Sequence, residues 1–176
     1  MPIHPFRDHT PRLGKGCFLA PSAVLTGNIE VGEDVSFWFH TVARGDVHWI
    51  KIGARTNIQD GTVLHVSEGT FPLTIGSGVV VGHSAIVHGC TVGDGAMIGM
   101  GARVLDGAVI EAGAQVAAGA VVAPGTRIPS GQLAMGIPAR VKRPLTDGDR
   151  DKVAEIVDRY AALKEEYRQV LGSGFD

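Results

Sequence analysis

The chain has 176 residues, enough for one domain whose core does not depend on disulfides. Its net charge of -2, with no long run of either sign, excludes binding to nucleic acid or anionic lipid by bulk electrostatics. It has 25 glycines, about twice the usual share of ~7%, and only 6% aromatics, which argues for an aliphatic core in a narrow, regularly turning structure rather than a broad globule.

Residues 1–13 carry three prolines and little periodicity, and read as an N-terminal strap that includes His4 and His9. No basic segment followed by an apolar run opens the chain, and no stretch approaches the roughly 18 consecutive apolar residues of a membrane span. The expectation is a cytoplasmic protein with no membrane segment. Cys17 and Cys90 lack metal-type spacing and are expected to pack as small hydrophobes.

From residue 14 to 131 the dominant signal is a period of six. Val92, Ile98, Val104, Ile110, Val116, Val122 and Ile128 recur at that exact interval. Earlier registers are Ile52, Ile58, Leu64 and Ile75, Val81, Val87, with a weaker echo at Val31 and Phe37. The step from Val87 to Val92 is one residue short. Gly-Ala pairs such as Gly95–Ala96, Gly101–Ala102 and Gly107–Ala108 recur beside the aliphatic positions. An amphipathic helix needs apolar residues three and four apart, and a hairpin sheet alternates strictly, so neither fits. A unit of this length is instead a short strand plus a tight corner. Three such hexads close one triangular coil, and stacked coils cover one another's apolar edges. The fold class is therefore an all-β solenoid, a parallel β-helix with a C-terminal α-helix. The spacing leaves its hand open.

Ser67–Pro72 interrupts the hexads as a short loop. Pro129, Pro138 and Pro144 mark the exit from the coils, and residues 132–145 read as a connector. Thr146-Asp147-Gly148-Asp149 then predicts a helix N-cap with an acidic residue at N3. Val153, Ile156, Val157, Tyr160, Leu163, Tyr167, Val170 and Leu171 form a helical stripe that ends before Gly172, so the helix is placed over 146–171. The stripe is expected to pack on the coils or on a neighbouring subunit, with Tyr160 and Tyr167 as packing residues. The basic stretch Arg140, Lys142, Arg143 reads as a solvated face.

Among the seven histidines, His65, His83 and His88 stand out. His65 and His83 are separated by three hexads, nominally one coil, which predicts equivalent positions on adjacent coils. His88 lies about one corner further. Three imidazoles near one edge suit Zn2+ with water in the fourth position. A threefold oligomer would allow such a site to draw on two subunits. His40 and His48 flank the region, and His48 is a secondary candidate for carrying protons.

The ordered set Arg44-Gly45-Asp46, Asn57-Ile58-Gln59-Asp60, Leu64-His65 and Val81-Gly82-His83-Ser84-Ala85-Ile86-Val87-His88-Gly89-Cys90, followed by Ile98-Gly99-Met100-Gly101-Ala102, resembles the γ-class carbonic anhydrase-like branch of the hexapeptide-repeat proteins. The resemblance covers about residues 10 to 170. It implies left-handed coils, a homotrimer, and metal sites between subunits, with His65 and His88 from one chain and His83 from the next. Zn2+ is the expected ion, with Fe2+ or Co2+ as substitutes in the same nitrogen environment. Arg44 and Asp60 would form an intersubunit ion pair, and Asp46 and Gln59 would orient water or bicarbonate. Asn57 looks structural. Reversible hydration of carbon dioxide to bicarbonate is the implied reaction, since three neutral imidazoles lower the pKa of a bound water toward ~7.

Three departures bear on activity. Val47 stands where the best-studied enzymes of this class carry a glutamate. The loop 67–72 replaces a long acidic one, leaving Glu68 as its proton-transfer candidate. Arg159 precedes Tyr160, and the asparagine expected near that tyrosine is not evident. Two competing functions follow: a metal-bearing scaffold with little catalysis, and a hexapeptide-repeat acyl- or acetyltransferase. Gly136-Ile137-Pro138-Ala139-Arg140 is common to both branches and separates them poorly.

Overall fold

In the computed structural model, which describes residues 2–171, the repeats wind into a left-handed parallel β-helix closed by one C-terminal helix, Asp147–Leu171. The hexads become three stacked faces. One face aligns Val63, Ile86, Arg103 and Val121; the second aligns Thr74, Thr91, Val109 and Arg127; the third aligns Asn57, Val80, Met97, Gln115 and Leu133. The first two faces merge into a single 12-stranded sheet because Val24–Val31 and Val42–Ile52 run continuously around the corner between them. The third face is an 8-stranded sheet.

Three aliphatic columns fill the prism. They are Leu64, Val87, Val104 and Val122; Ile75, Val92, Ile110 and Ile128; and Ile58, Val81, Ile98 and Val116, all buried. Each is the hexad aliphatic of its coil, so the period seen in the sequence is the period of inward-pointing side chains. Glycine is required at two kinds of place. Gly113 sits at a corner with φ +66°, a conformation that costs an L side chain. Gly99 lies under the next coil, where a Cβ would stand 2.4 Å from the amide nitrogen of Ala118.

The coils are not uniform. Val63 aligns with Ile86, a step longer than three hexads, because the loop 67–72 is inserted between them. Ile86 then aligns with Arg103, a step just short of three hexads, which reflects the short interval between Val87 and Val92. Beyond Arg103 the step settles at three hexads. One consequence corrects the histidine reading: His65 is in register with His88, not with His83.

The chain enters through short strands at Ile3–His4 and Arg12–Leu13, paired in parallel with Val24–Val31. It leaves through Gln132–Met135, which still stacks on Gln115–Val116, and through Arg140–Pro144, which folds back antiparallel on Gln132–Met135. The helix begins with a reciprocal cap. The Asp149 amide donates to Thr146 Oγ1 at 3.2 Å, and the Thr146 amide donates to Asp149 Oδ2 at 2.8 Å. Arg143 also grips the Asp149 carboxylate, at 2.6 and 3.2 Å. These bonds hold the Asp149 carboxyl far below the usual carboxylate range.

The helix lies along its own coils. Val153 and Ile156 pack on Val80, while Trp38 meets Tyr160 and Tyr167 edge-on at 5.1 and 5.2 Å between ring centroids. Val170 stands off the stripe in solvent. Lys164 is buried instead, with its ammonium 3.0 Å from Asp34 and also paired with Glu165. Among the described residues, no helix is long and apolar enough to cross a membrane. Cys90 is buried, and burial pushes its thiol up to about 12. Cys17 is only half-buried and donates to the Gly32 carbonyl.

Candidate metal centre

Two histidines meet on one face of the prism. His65 ends the strand Val63–His65 and His88 ends the strand Ile86–His88, one above the other in the ladder. His65 Nδ1 lies 3.0 Å from His88 Nε2. The outer nitrogen of each ring faces a carboxylate: His65 Nε2 is 3.1 Å from Asp46 Oδ1, and His88 Nδ1 is 2.5 Å from Asp106 Oδ1. Arg44 pairs with the other oxygen of Asp46.

This arrangement dictates tautomers. An ionised carboxylate only accepts, so each outer ring nitrogen carries the N–H. While both rings are neutral, the inner nitrogens are lone pairs facing each other across 3.0 Å; one further proton would make one ring donate to the other. Two lone pairs at that distance repel unless a cation lies between them. Zn–N bonds of about 2.0–2.1 Å in tetrahedral geometry set two ligand nitrogens roughly 3.3 Å apart, close to what is seen. The pair therefore fits a divalent metal ion that prefers imidazole nitrogen.

The electrostatics of Asp46 and His65 agree with these roles. Burial works to raise the Asp46 carboxyl, but hydrogen bonds from Arg44 and His65 outweigh it and leave it below its ordinary range. Burial chiefly lowers the His65 imidazole; the Asp46 hydrogen bond opposes this and the Arg44 charge adds to it, and the net shift is downward.

His83 belongs to a different cluster. It precedes Ser84, a corner residue with φ +59°, and its Nδ1 is 2.9 Å from Asp60 Oδ2. Asp60 Oδ1 accepts from the Phe39 amide at 3.1 Å. His83 Nε2 faces the Tyr160 hydroxyl of the helix at 3.4 Å. Burial, together with the Asp60 charge, raises that phenol above its ordinary value. Within one chain, Arg44 and Asp60 therefore serve different partners, Asp46 and His83. Among the described residues, no three His, Cys, Asp or Glu side chains of a single chain gather around one point.

Gln59 is buried, and its Nε2 donates to Asn57 Oδ1 at 3.0 Å. Asn57 Nδ2 is buried with no partner among the described groups. Glu68 is exposed at the tip of the 67–72 loop, whose ends pair at Ser67 and Phe71. His48 lies in the long strand beside Trp49, whose amide donates to His48 Nδ1 at 2.9 Å. Two residues escaped the sequence reading. Asp106 lies just after Arg103–Val104, which stacks on Ile86–Val87 a step short of three hexads, so the repeat does not set it in register with His88. Ser67 reaches Asp106 across the loop, at 2.6 Å, and nothing in the pattern marks it.

No family model matches the chain. It is 44% identical over 171 residues to the protein YrdA of Escherichia coli strain K12, covering 94% of this chain and 93% of that protein. It is 43% identical over 166 residues to the carbonic anhydrase of Geobacillus kaustophilus, covering 94% and 91%. Among solved structures, a hexapeptide transferase family protein from Anaplasma phagocytophilum superposes with a TM-score of 0.90 at 38% identity, covering 94% of this chain and 97% of that one. The chain belongs to the γ-carbonic anhydrase-like family of hexapeptide-repeat proteins.

Proposed function

We propose that this protein catalyses the reversible hydration of carbon dioxide to bicarbonate at metal sites shared between the subunits of a homotrimer. The observation that carries the reading is the 3.0 Å approach of His65 Nδ1 to His88 Nε2, each ring with its outer nitrogen on a carboxylate, which one metal cation between them would satisfy. Two imidazoles leave an ion short of ligands, and His83 of a neighbouring subunit is the third. Its Nδ1 is already committed to Asp60, so its Nε2 is the donor, and Tyr160 occupies that direction in the single chain.

Zn2+ is the proposed ion, with Fe2+ or Co2+ as substitutes; when bound, it supplies a Lewis-acidic centre that makes water a nucleophile near neutral pH. The chain's own residues do the rest. Asp46, kept ionised by Arg44, accepts from the outer nitrogen of His65 and so holds that ring with its inner nitrogen toward the centre. Gln59, with its amide turned by Asn57, offers a neutral polar contact to bicarbonate. Arg44 and Asp60, each partly exposed, are placed to pair across the subunit boundary. Glu68 and His48 are the residues for passing the released proton to bulk.

The identity to the G. kaustophilus carbonic anhydrase supports this reading. The name of the Anaplasma relative keeps an acyl- or acetyltransferase as the second reading. Val47 and the short loop motivate a third, a metal-bearing scaffold with little turnover.

Metal analysis and stopped-flow carbon dioxide hydration on the assembled protein decide among them. Metal-dependent hydration, with His83→Ala losing the metal while the coils stay folded, is expected. Full metal stoichiometry in His83→Ala would overturn the shared site. Hydration absent with both Zn2+ and anaerobic Fe2+ would favour the scaffold. Acyl-coenzyme A turnover that survives metal removal would favour the transferase.

A further inference from the structure

Asp106 follows the strand Arg103–Val104 one coil on from His88. Its Oδ1 meets His88 Nδ1 at 2.5 Å, and its Oδ2 accepts from the Ser67 hydroxyl at 2.6 Å. We propose that Asp106, braced by Ser67, is a positioning residue that commits His88 to the Nδ1–H tautomer and so makes Nε2 its metal-donating atom. The inference rests on the proposed reading of His65 and His88 as ligands of one metal.

The geometry around the carboxylate is specific. A Cβ on Gly89, the residue after His88, would stand 2.4 Å from Asp106 Oδ1, so glycine at that corner is what lets the carboxylate reach the ring. Gly107, next to Asp106, donates its amide to the Gly89 carbonyl at 2.7 Å, which ties the two corners together. Phe71 covers the same spot, since Cβ atoms on Gly89 and Gly107 would meet its side chain at 2.8 and 3.0 Å. Ser67 and Phe71 are the two ends of the short loop, joined by the Ser67 amide donating to the Phe71 carbonyl at 3.0 Å. The insertion that lengthens this coil thus delivers a hydroxyl and a ring to the outer side of one ligand.

The chemistry follows from the donor inventory. A carboxylate fixed by a serine cannot rotate to offer a different partner and cannot donate, so His88 must place its proton on Nδ1. Without Asp106, a neutral imidazole is free to carry the proton on Nε2, where it would point at the metal position. Carboxylate partners of ligating histidines typically account for about 10–100-fold in metal affinity. A merely structural Asp106 would hold the loop and leave the tautomer indifferent.

The test uses the full-length assembled protein and the variants Asp106→Ala and Asp106→Asn. Zn2+ affinity is read by competition with a chromophoric chelator, and the His88 tautomer by long-range proton–nitrogen NMR of the metal-free protein. The expected result is about a 10–100-fold weaker Zn2+ affinity for Asp106→Ala, a smaller loss for Asp106→Asn, whose amide oxygen still accepts, and Nδ1–H on His88 only in the parent and Asp106→Asn. Gly89→Ala, which pushes the carboxylate away, should resemble Asp106→Ala. Zn2+ affinity in Asp106→Ala equal to the parent's, or a metal-free parent with its His88 proton on Nε2, overturns the inference. A parent that binds no Zn2+ would sink the metal-site reading instead, while the tautomer measurement still decides the role of Asp106. Should Asp106→Ala fail to assemble, Asp106→Asn and Gly89→Ala carry the same comparison.

Discussion

The solenoid has an irregular half and a regular half, and they do different work. Up to Cys90 the chain contains one long strand, Val42–Ile52, and an inserted loop that stretches one coil, and the coil that follows is cut short. Several of its corners, including Asp34, His40, Arg55 and Ser84, hold positive φ without glycine. From Val92 to Ile128 the coils repeat at three hexads with glycine at every such corner. His65, His83, His88, Asp46 and Asp60 all lie in the irregular half. A perfect repeat places equivalent side chains in columns on one face. Bringing unlike groups together around one point needs a break in the register. The regular half supplies a dry aliphatic stack on which those breaks are tolerated, and from it the Asp106 side chain reaches His88.

The helix ties the two halves together, packing on Val80 and Trp38 of the irregular half and accepting from Gln115 of the regular half at the Asp149 carbonyl. Trp38→Ala removes the ring on which Tyr160 and Tyr167 rest and should cost about 3–5 kcal/mol in denaturant unfolding at fixed protomer concentration. Because Tyr160 also faces His83, the same change should weaken metal retention. Ile110→Ala in the regular half should cost about 2–5 kcal/mol yet leave Zn2+ affinity per folded subunit unchanged. If it lowered that affinity as Trp38→Ala does, the division of labour between the halves would be wrong.

Corner residues sharpen the contrast at smaller scale. Gly113→Ala forces a Cβ into φ +66°, in open space, and should cost about 1–2 kcal/mol. Ser84→Gly, at φ +59° beside His83, relieves that strain and should leave stability within about 1 kcal/mol of the parent. A perturbed Zn2+ affinity in that variant would show that the serine corner aims His83.

The smallest effect concerns the helix cap. The Asp149 carboxyl is depressed in the folded state by Arg143 and Thr146, so its contribution is present above the unfolded carboxylate value of about 4. It is lost as pH falls toward the folded value. Asp149→Asn should therefore lower the thermal midpoint at neutral pH, and the gap from the parent should shrink on acidification. A gap that stays constant below pH ~4 would show that the cap acts through geometry rather than charge.

The helix shows how far pattern reaches. Thr146 and Asp149 announce the cap, and Val153, Ile156 and Tyr160 announce the packed face, because these follow from local spacing. Lys164 does not announce its burial. Its place is set by Asp34, a coil corner distant in sequence that happens to lie under the helix's last turns. Likewise, the three-hexad gap from His65 to His83 suggests adjacency, which the loop 67–72, already legible as a break in the hexads, weakens. The ladder shows that the loop cancels it and sets His88 beside His65 instead.

The amino-acid order by itself determined the prism, its three aliphatic columns, its glycine corners and the capped helix, since each depends on side chains a fixed number of residues apart. Tertiary structure alone decided which histidine stacks on which, which carboxylate meets each ring, and that Ser67 braces Asp106. Those contacts depend on how far an insertion shifts one coil against the next, a displacement in space that periodicity along the chain does not encode.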